Sequence, residues 1–596
     1  MAHVDGQSVE NRERGSRFVV APSDGRGVFI PEDFSLEQIM FARTTHEFAE
    51  REVRPAIERL EHQDWPLTVD LLRKAGSLGL LAADIPEPFG GLGLDKVSSA
   101  LISEHMSGVG SFALSHGAHV GIGTLPIVLF GNAEQKERYL PRLASGEWFA
   151  AYALTEPDSG SDALSVRATA RLSEDGGHYL LNGRKQFITN SAFADVFIVY
   201  AKIDGQQFSA FIVERTFSGV STGPEERKMG IKASSTRALI LEDVPVPKEN
   251  LLGDAGRGHV IAFNILNIGR YKLAVGCVGA AKYALEITAK YANTRRQFGR
   301  PLASFPLIQA KIGMMAARLY AAESAVYRTA GALDAALREV DPAADERGAQ
   351  TAGKIAEFTV ECSVNKVFGS EMLDFVVDQG LQIHGGMGYI QEFPIERMYR
   401  DSRINRIFEG TNEINRLLIP GTLLKWAEQG RLPLLEAVRT VQAELLEPIG
   451  PSADDGPLVR EARLVEVVRK LFLLAGGMAV QAFGKRLSDE QEVVANLADL
   501  VIALYAMESA LIRVRLCAAR QLPGADGQRD LAALFIERSF PAAEMCAREV
   551  FAAVAVGDEL GAACAAARKL ARGLPGNAVA LGRAAADRVI SAQRYV

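Results

Sequence analysis

The sequence predicts a mostly α-helical protein with one β-domain set in its middle. Three observations lead there. Apolar residues recur at helical spacing from Ser35 to about Gly146 and again from Val260 to Trp426, the pattern of helices that bury one face. Between these blocks, residues 178–183, 193–201, 207–214 and 237–247 are short runs rich in β-branched and aromatic side chains, set apart by Gly, Asp, Asn and Ser. After Trp426 the pattern stays helical and becomes rich in alanine.

A chain of 596 residues exceeds one ordinary hydrophobic core, so several domains are expected. Residues 1–33 read as a polar, Gly-containing arm or a partly ordered extension. Residues 34–147 form a first helical domain. Phe41, Phe48 and Val53 open its amphipathic spacing, Leu71, Leu72, Leu78, Leu80 and Leu81 continue it, and the turn-rich stretch Pro86 to Gly93 interrupts it. Residues 148–256 form the β-domain, a compact barrel or sandwich. Residues 257–426 form a second helical domain, broken near Thr294, Pro301, Asp341 and Gly385. Residues 427–596 form an extra helical domain with a Pro/Gly/Asp break at 448–457.

The extra domain reads as a degenerate copy of the one before it. The run from Phe298 to Ala325 recurs from Phe483 to Ala510 at a constant offset of 185, with 10 of 28 positions identical and no gap. Ala-rich helices resemble one another by chance. Two separate anchors, Phe-Gly-x-x-Leu and Leu-Tyr-Ala-x-Glu-Ser-Ala, in one register favour duplication.

Composition narrows the function classes. Hydrophobic residues are 48% and charged residues 23%, the balance of a folded soluble protein. A net charge of −7 gives no basic field for nucleic acid. Five cysteines without a paired spacing indicate neither a disulfide framework nor a zinc site. The first residues lack an apolar signal core and mix acids with arginines, so no leader is read there and a cytoplasmic location is expected. Met106 to Ala133 holds no Asp, Glu, Lys or Arg, but its six glycines point to a buried helix–turn–helix rather than a membrane span. His116 and His119 within it are expected to be structural, and no metal is expected. Residues 427–447 carry four Glu against two Arg, which leaves at most weak membrane association.

Three motifs carry more than packing. Ala153 to Ala163 joins the first helical domain to the β-domain and is dense in hydroxyls and acids. It is either a turn with a helix cap or a row of amides and hydroxyls lining a polar ligand. Lys185 to Asn190 alternates an aromatic with a hydroxyl inside a strand. Ile407 to Glu413 sets an acid directly before Gly and Thr, after the apolar positions Ile404 and Ile407.

Together these motifs resemble the acyl-CoA dehydrogenase family, and the resemblance covers almost all of residues 35–425. It also runs through residues 86–94, 135–146, 228–234, 295–299 and 382–388. The long C-terminal extension makes the very-long-chain branch the nearest match. The resemblance implies FAD held between the β-domain and the second helical domain. Tyr152, Leu154, Thr155, Gly160 and Ser161 would line the flavin, and Phe187, Ile188 and Thr189 would cover its other face. Most members carry Trp where this chain has Phe187. Arg295, Gln297 and Phe298 would reach the FAD of a neighbouring subunit, Arg suiting a bidentate hold on phosphate. Gln382, Ile383, Gly385 and Gly386 would pack on the adenosine half, with Thr411 and Glu413 completing that wall.

Glu409 falls on the base that removes the α-proton of an acyl-CoA thioester in most of the family. A carboxylate made more basic by burial suits that task. Some branches place the base one residue before an arginine on another helix. Here that position is Gly269, before Arg270, and the small residue would leave room for a longer acyl chain. Ser161, Asn267, Arg270 and Gly410 would contact the substrate, and Arg270 would orient Glu409 as well. The implied reaction is α,β-dehydrogenation of a long-chain acyl-CoA, with electrons passed to an electron-transfer flavoprotein. An acyl-CoA oxidase or a non-enzymatic assembly factor on the same fold is the alternative. A homodimer is expected, the copied domain covering the face that a second dimer would use.

Overall fold

The structure, a computed structural model, describes residues 15–340, 347–447, 458–573 and 575–596. The breaks expected at 448–457 and near Asp341, and residues 1–14 of the arm, lie outside them. The first helical domain contains α1 (Leu36–Phe48), α2 (Trp65–Ser77), α3 (Lys96–Met106) and α4 (Ala133–Ser145). Side chains mark each start. Ser35 with Gln38, and Asn132 with Gln135, form reciprocal capping boxes, while Asp64 and Asp95 cap α2 and α3.

The uncharged stretch differs from expectation. Ser111–Gly117 and Leu125–Phe130 are joined through a π-helix at Ala118–Gly123, not folded back as two helices. By length and composition alone Ser111–Phe130 could cross a membrane, yet 67% of its most apolar window is buried in the protein. Its histidines are spent on main chain. His116 Nε2 bonds the Leu80 carbonyl at 2.9 Å. His119 bonds the Leu143 carbonyl at 3.0 Å and accepts from the Ala150 amide at 3.0 Å. Burial pushes both imidazoles down to about 4.

The β-domain comprises β1 (Ala150–Ala153), β2 (Thr169–Leu172), β3 (His178–Thr189), β4 (Val196–Ile203), β5 (Gln207–Glu214), β6 (Val220–Glu225), β7 (Thr236–Pro247) and β8 (Leu251–Leu252). They form one sheet in the order β6-β7-β3-β2-β4-β5-β8, with β1 parallel to β4. Strand β4 is covered on both faces. Val196, Ile198 and Tyr200 join the helical core, while Phe197, Val199 and Ala201 join the domain's own core. That is why its sequence is continuously apolar instead of alternating.

The second helical domain consists mainly of α5 (Gly258–Thr294), α6 (Pro306–Leu337), α7 (Thr359–His384) and α8 (Asn412–Glu428). A two-stranded hairpin, Arg296–Gln297 with Arg300–Pro301, links α5 to α6. The extra domain contains α9 (Val459–Phe483), α10 (Gln491–Ala519), α11 (Ala525–Val554) and α12 (Ala578–Ala592).

The repeated segments meet face to face. Arg328 of α6 donates to Glu508 of α10 at 2.9 Å, and Arg513 of α10 donates to Glu323 of α6 at 2.5 Å. Each arginine also reaches the serine beside that glutamate, Ser509 or Ser324, and lies 4.6 Å from the centroid of Tyr505 or Tyr320. Every one of these residues has its partner's equivalent 185 positions away. The contact therefore has the reciprocal form of a two-fold interface between identical subunits, built within one chain.

Residues 15–33 are not the loose arm expected. They thread the seam between the two helical domains. Arg469 donates to the Phe18 carbonyl, the Ser23 amide donates to Glu508, and Arg513 and Gln528 both donate to Glu32. Buried guanidinium groups need acceptors, and this segment supplies a carbonyl and a carboxylate to them.

Candidate active site

Glu409 lies in the short connection before α8, where the backbone is forced into a left-handed turn. Its φ is +58°, and that of Gly410 is +77°. A glutamate held there is strained, and side chains hold it. Asn415 Nδ2 donates to the carbonyls of Glu409, Gly410 and Thr411 at 3.4, 2.9 and 3.0 Å. Thr411 caps α8 by accepting from the Ile414 amide. Arg270 Nε donates to the Glu409 carbonyl at 3.3 Å, and its Nη1 bonds Asn267 Oδ1 at 2.9 Å.

The Glu409 carboxyl rests against α5 at Gly269. A Cβ at that glycine would come within 2.7 Å of Glu409 Oε2. Oε2 is sealed from solvent and has no hydrogen-bond partner. Burial raises its pKa to about 7, against the pull of Arg270 and Lys366. This is a carboxylate poised as a base near neutral pH.

Glu409 forms one wall of a cavity of about 230 Å³. Gly269, Leu273, Gly276, Cys277 and Ala280 present one face of α5 to it, with Ser103 and Ser107 opposite. Between residues 269 and 280 the helix advances about 16 Å, enough for roughly a dozen extended methylenes. The room expected at Gly269 is taken by the Glu409 carboxyl. Gly276 lets α5 approach Ser107, whose Oγ would stand 3.1 Å from a Cβ there, while at Gly117 and Gly121, which also line the cavity, a Cβ would meet nothing within 4 Å. Thr189 reaches the same cavity from β3.

The other expected site residues sort by accessibility. Gly160 and Ser161 are exposed on a pinned loop: Glu156 accepts from Lys185 Nζ at 2.7 Å and from the Arg167 and Ala168 amides, and Thr155 accepts from the Gln186 amide. Tyr152 packs edge-on against Tyr200, with its hydroxyl buried. Phe187 sits at a register shift in β3, with φ +59° and 62% of its surface open. Gln382 is exposed, and a Cβ on Gly385 or Gly386 would meet nothing within 4 Å. The structure thus presents an open, glycine-floored strip facing solvent. Arg295, Gln297 and Phe298, the last 92% exposed, stand on the hairpin and line none of the Glu409 cavity. Glu413 is exposed at the start of α8.

Several expectations need correction. The side chains of Leu154, Ile188 and Ile383 are core residues, so only their main chain remains free for a ligand. Asn267 is buried and bonded to Arg270 and Thr359, and lines no part of the cavity. Arg270, also buried, is committed to Asn267 and to the Glu409 carbonyl. It holds the Glu409 main chain and is absent from the residues that line the cavity. Asn415 and Lys366 were not foreseen. The spacing of Asn415 after Glu409 was a usable signal, whereas Lys366 is one lysine within a long helix.

Sequence comparisons agree with this geometry. Models of the acyl-CoA dehydrogenase N-terminal, middle and C-terminal domains match residues 35–147, 151–244 and 256–424, and a further acyl-CoA dehydrogenase C-terminal domain matches 467–569. A probable acyl-CoA dehydrogenase of Bacillus subtilis is 54% identical over 98% of both chains. The very long-chain specific acyl-CoA dehydrogenase of Bos taurus mitochondria is 37% identical, over 77% of this chain and 70% of its own. An acyl-CoA dehydrogenase from Bacillus anthracis, crystallised with FAD, superposes with a TM-score of 0.97 at 55% identity, covering 98% of this chain and 100% of its own.

Proposed function

The chain belongs to the acyl-CoA dehydrogenase family and is an FAD-dependent oxidoreductase; from that premise we propose that it desaturates long-chain acyl-CoA thioesters, with Glu409 removing the α-proton. The observation that carries the reading is the Glu409 carboxyl, its Oε2 sealed and its backbone in a left-handed turn, raised to about 7 at the wall of a largely apolar cavity. Above that pH the group is a half-buried carboxylate, one oxygen sealed from solvent, able to take a proton from a carbon acid activated by a thioester.

The residues present fit FAD. The open floor at Gly385 and Gly386, the outward Phe187 and the pinned Tyr152–Ser161 loop suit a flat, polar cofactor. Thr189, Gln382, Thr411 and Glu413 would complete its binding. When bound, FAD accepts the hydride that leaves the β-carbon. The protein holds the acyl chain along α5, orients the base through Arg270 and Asn415, and keeps water from the reacting carbons.

The depth of the cavity supports a long acyl chain, and an electron-transfer flavoprotein is the proposed electron acceptor. The reciprocal α6–α10 contact supports a homodimer: the copied domain occupies the two-fold surface that a second dimer would need. The exposed hairpin leaves Arg295, Gln297 and Phe298 free for the cofactor of the other copy. Anaerobic titration of the purified flavoprotein with palmitoyl-CoA tests the activity, and full bleaching of the flavin is expected. No bleaching with acyl-CoA of any length, with FAD bound, would refute it. Light scattering at two subunits is the expected mass, and four subunits would overturn the capping role of the extra domain.

A further inference from the structure

We propose that Lys366 is a positioning residue for the base, its charge and its bond to Asn412 holding the Glu409 carboxylate ionised and its loop in place. The inference rests on Glu409 being the base. Lys366 lies in mid-α7 with its side chain fully buried. Among the described residues its ammonium makes one hydrogen bond, to Asn412 Oδ1 at 2.7 Å. A buried cation with one neutral acceptor is costly.

Asn412 cannot turn its amide round. Its Nδ2 donates to the Glu371 carboxylate at 3.0 Å, which cannot donate in return, and this leaves Oδ1 facing the lysine, with Ser370 Oγ beside both amide atoms. Asn412 is also the first residue of α8, three positions after Glu409. Lys366 therefore grips the end of the base loop opposite to Arg270. Burial lowers Lys366 to about 8, and Glu409 is the first of the charges that support its protonation. The influence is mutual, since Lys366 opposes the rise in Glu409.

The other groups facing this pair do not replace it. Arg270 from α5 is committed to the Glu409 carbonyl and Asn267. Tyr152 from β1 is kept protonated by burial. Cys277 from α5 is pushed up to about 12 and stays neutral. Cys362 from α7 is raised still further by burial and is neutral too. Glu413 from α8 is exposed.

The test is the rate of anaerobic flavin reduction by palmitoyl-CoA against pH, in holoenzyme carrying K366Q, K366M or K366R, with E409Q alongside. Loss of the positive charge makes Glu409 harder to ionise. The acid limb of K366Q and K366M should therefore move up by about one pH unit or more, the scale of one nearby charge in a buried site. K366R should keep the wild-type limb. K366Q retains a donor for Asn412, so it carries the test if K366M does not fold with FAD. Acid limbs of the neutral variants that coincide with wild type would overturn the proposal. The two readings fail differently: E409Q reducing its flavin at the wild-type rate removes the base, whereas an inactive E409Q with unmoved Lys366 limbs removes only the lysine's role.

Discussion

Gly269→Ala separates catalysis from stability more sharply than any other single change here. Gly269 lies inside α5 with ordinary helical φ, so alanine fits the backbone and, as a better helix former, should add up to about 1 kcal/mol. Its Cβ, however, would stand 2.7 Å from Glu409 Oε2 and 3.0 Å from Cδ. Ordinary contact begins near ~3.5 Å, so the carboxyl must retreat by roughly 0.8 Å. Misplacing a reacting group by about that much costs on the order of 10²-fold in rate. The expected protein binds FAD, melts at or above the wild-type temperature, and reduces its flavin about a hundredfold more slowly in anaerobic stopped-flow with palmitoyl-CoA. A G269A enzyme within threefold of wild type would mean that the Glu409 carboxyl does not sit at Gly269 during turnover, and the proposed geometry would fall.

Glu409→Gln should keep fold and FAD and lose at least ~10³-fold in flavin reduction, the usual worth of a general base on a weak carbon acid; retention of a tenth of the rate removes Glu409 from the role. Because burial raises Glu409 to about 7, kcat/KM should fall tenfold per unit as pH drops below that value, and a limb near 4.5 would contradict the burial argument. The same shift means that the ionised side chain costs stability: its favourable contribution is complete below the unfolded carboxyl's value near ~4.3 and is lost as pH rises through about 7. The gain in melting temperature of E409Q over wild type should then be larger at pH 8 than at pH 5. Glu508→Ala removes a carboxylate shared by the buried Arg328 and Arg469 and should cost about 3–5 kcal/mol, read by denaturant unfolding; a loss under 1 kcal/mol would show that the seam between the helical domains relaxes around the gap.

The order of domains, the strand-rich middle block, the duplicated register and the Glu409 motif were legible in the sequence because they rest on local signals. Helical spacing, strand composition, capping residues and the Ile407–Glu413 motif are all read within a few residues of one another. Those signals report whether a side chain is buried, and not what it meets. Leu154, Ile188 and Ile383 stand inside cofactor motifs, yet the fold turns their side chains into the core. Arg270 follows Gly269 in the sequence, but only the tertiary packing shows that it holds the Glu409 carbonyl. Residues 15–33 look like a loose polar arm until the arginines of α9 and α10 are placed beside them. The repeat was visible as a register of 185, whereas the crosswise pairing of Arg328 with Glu508 and Arg513 with Glu323 required the two copies to be brought face to face. A buried charge is tolerated only where its partner arrives from elsewhere in the chain, and that arrival is decided by the packing of whole domains.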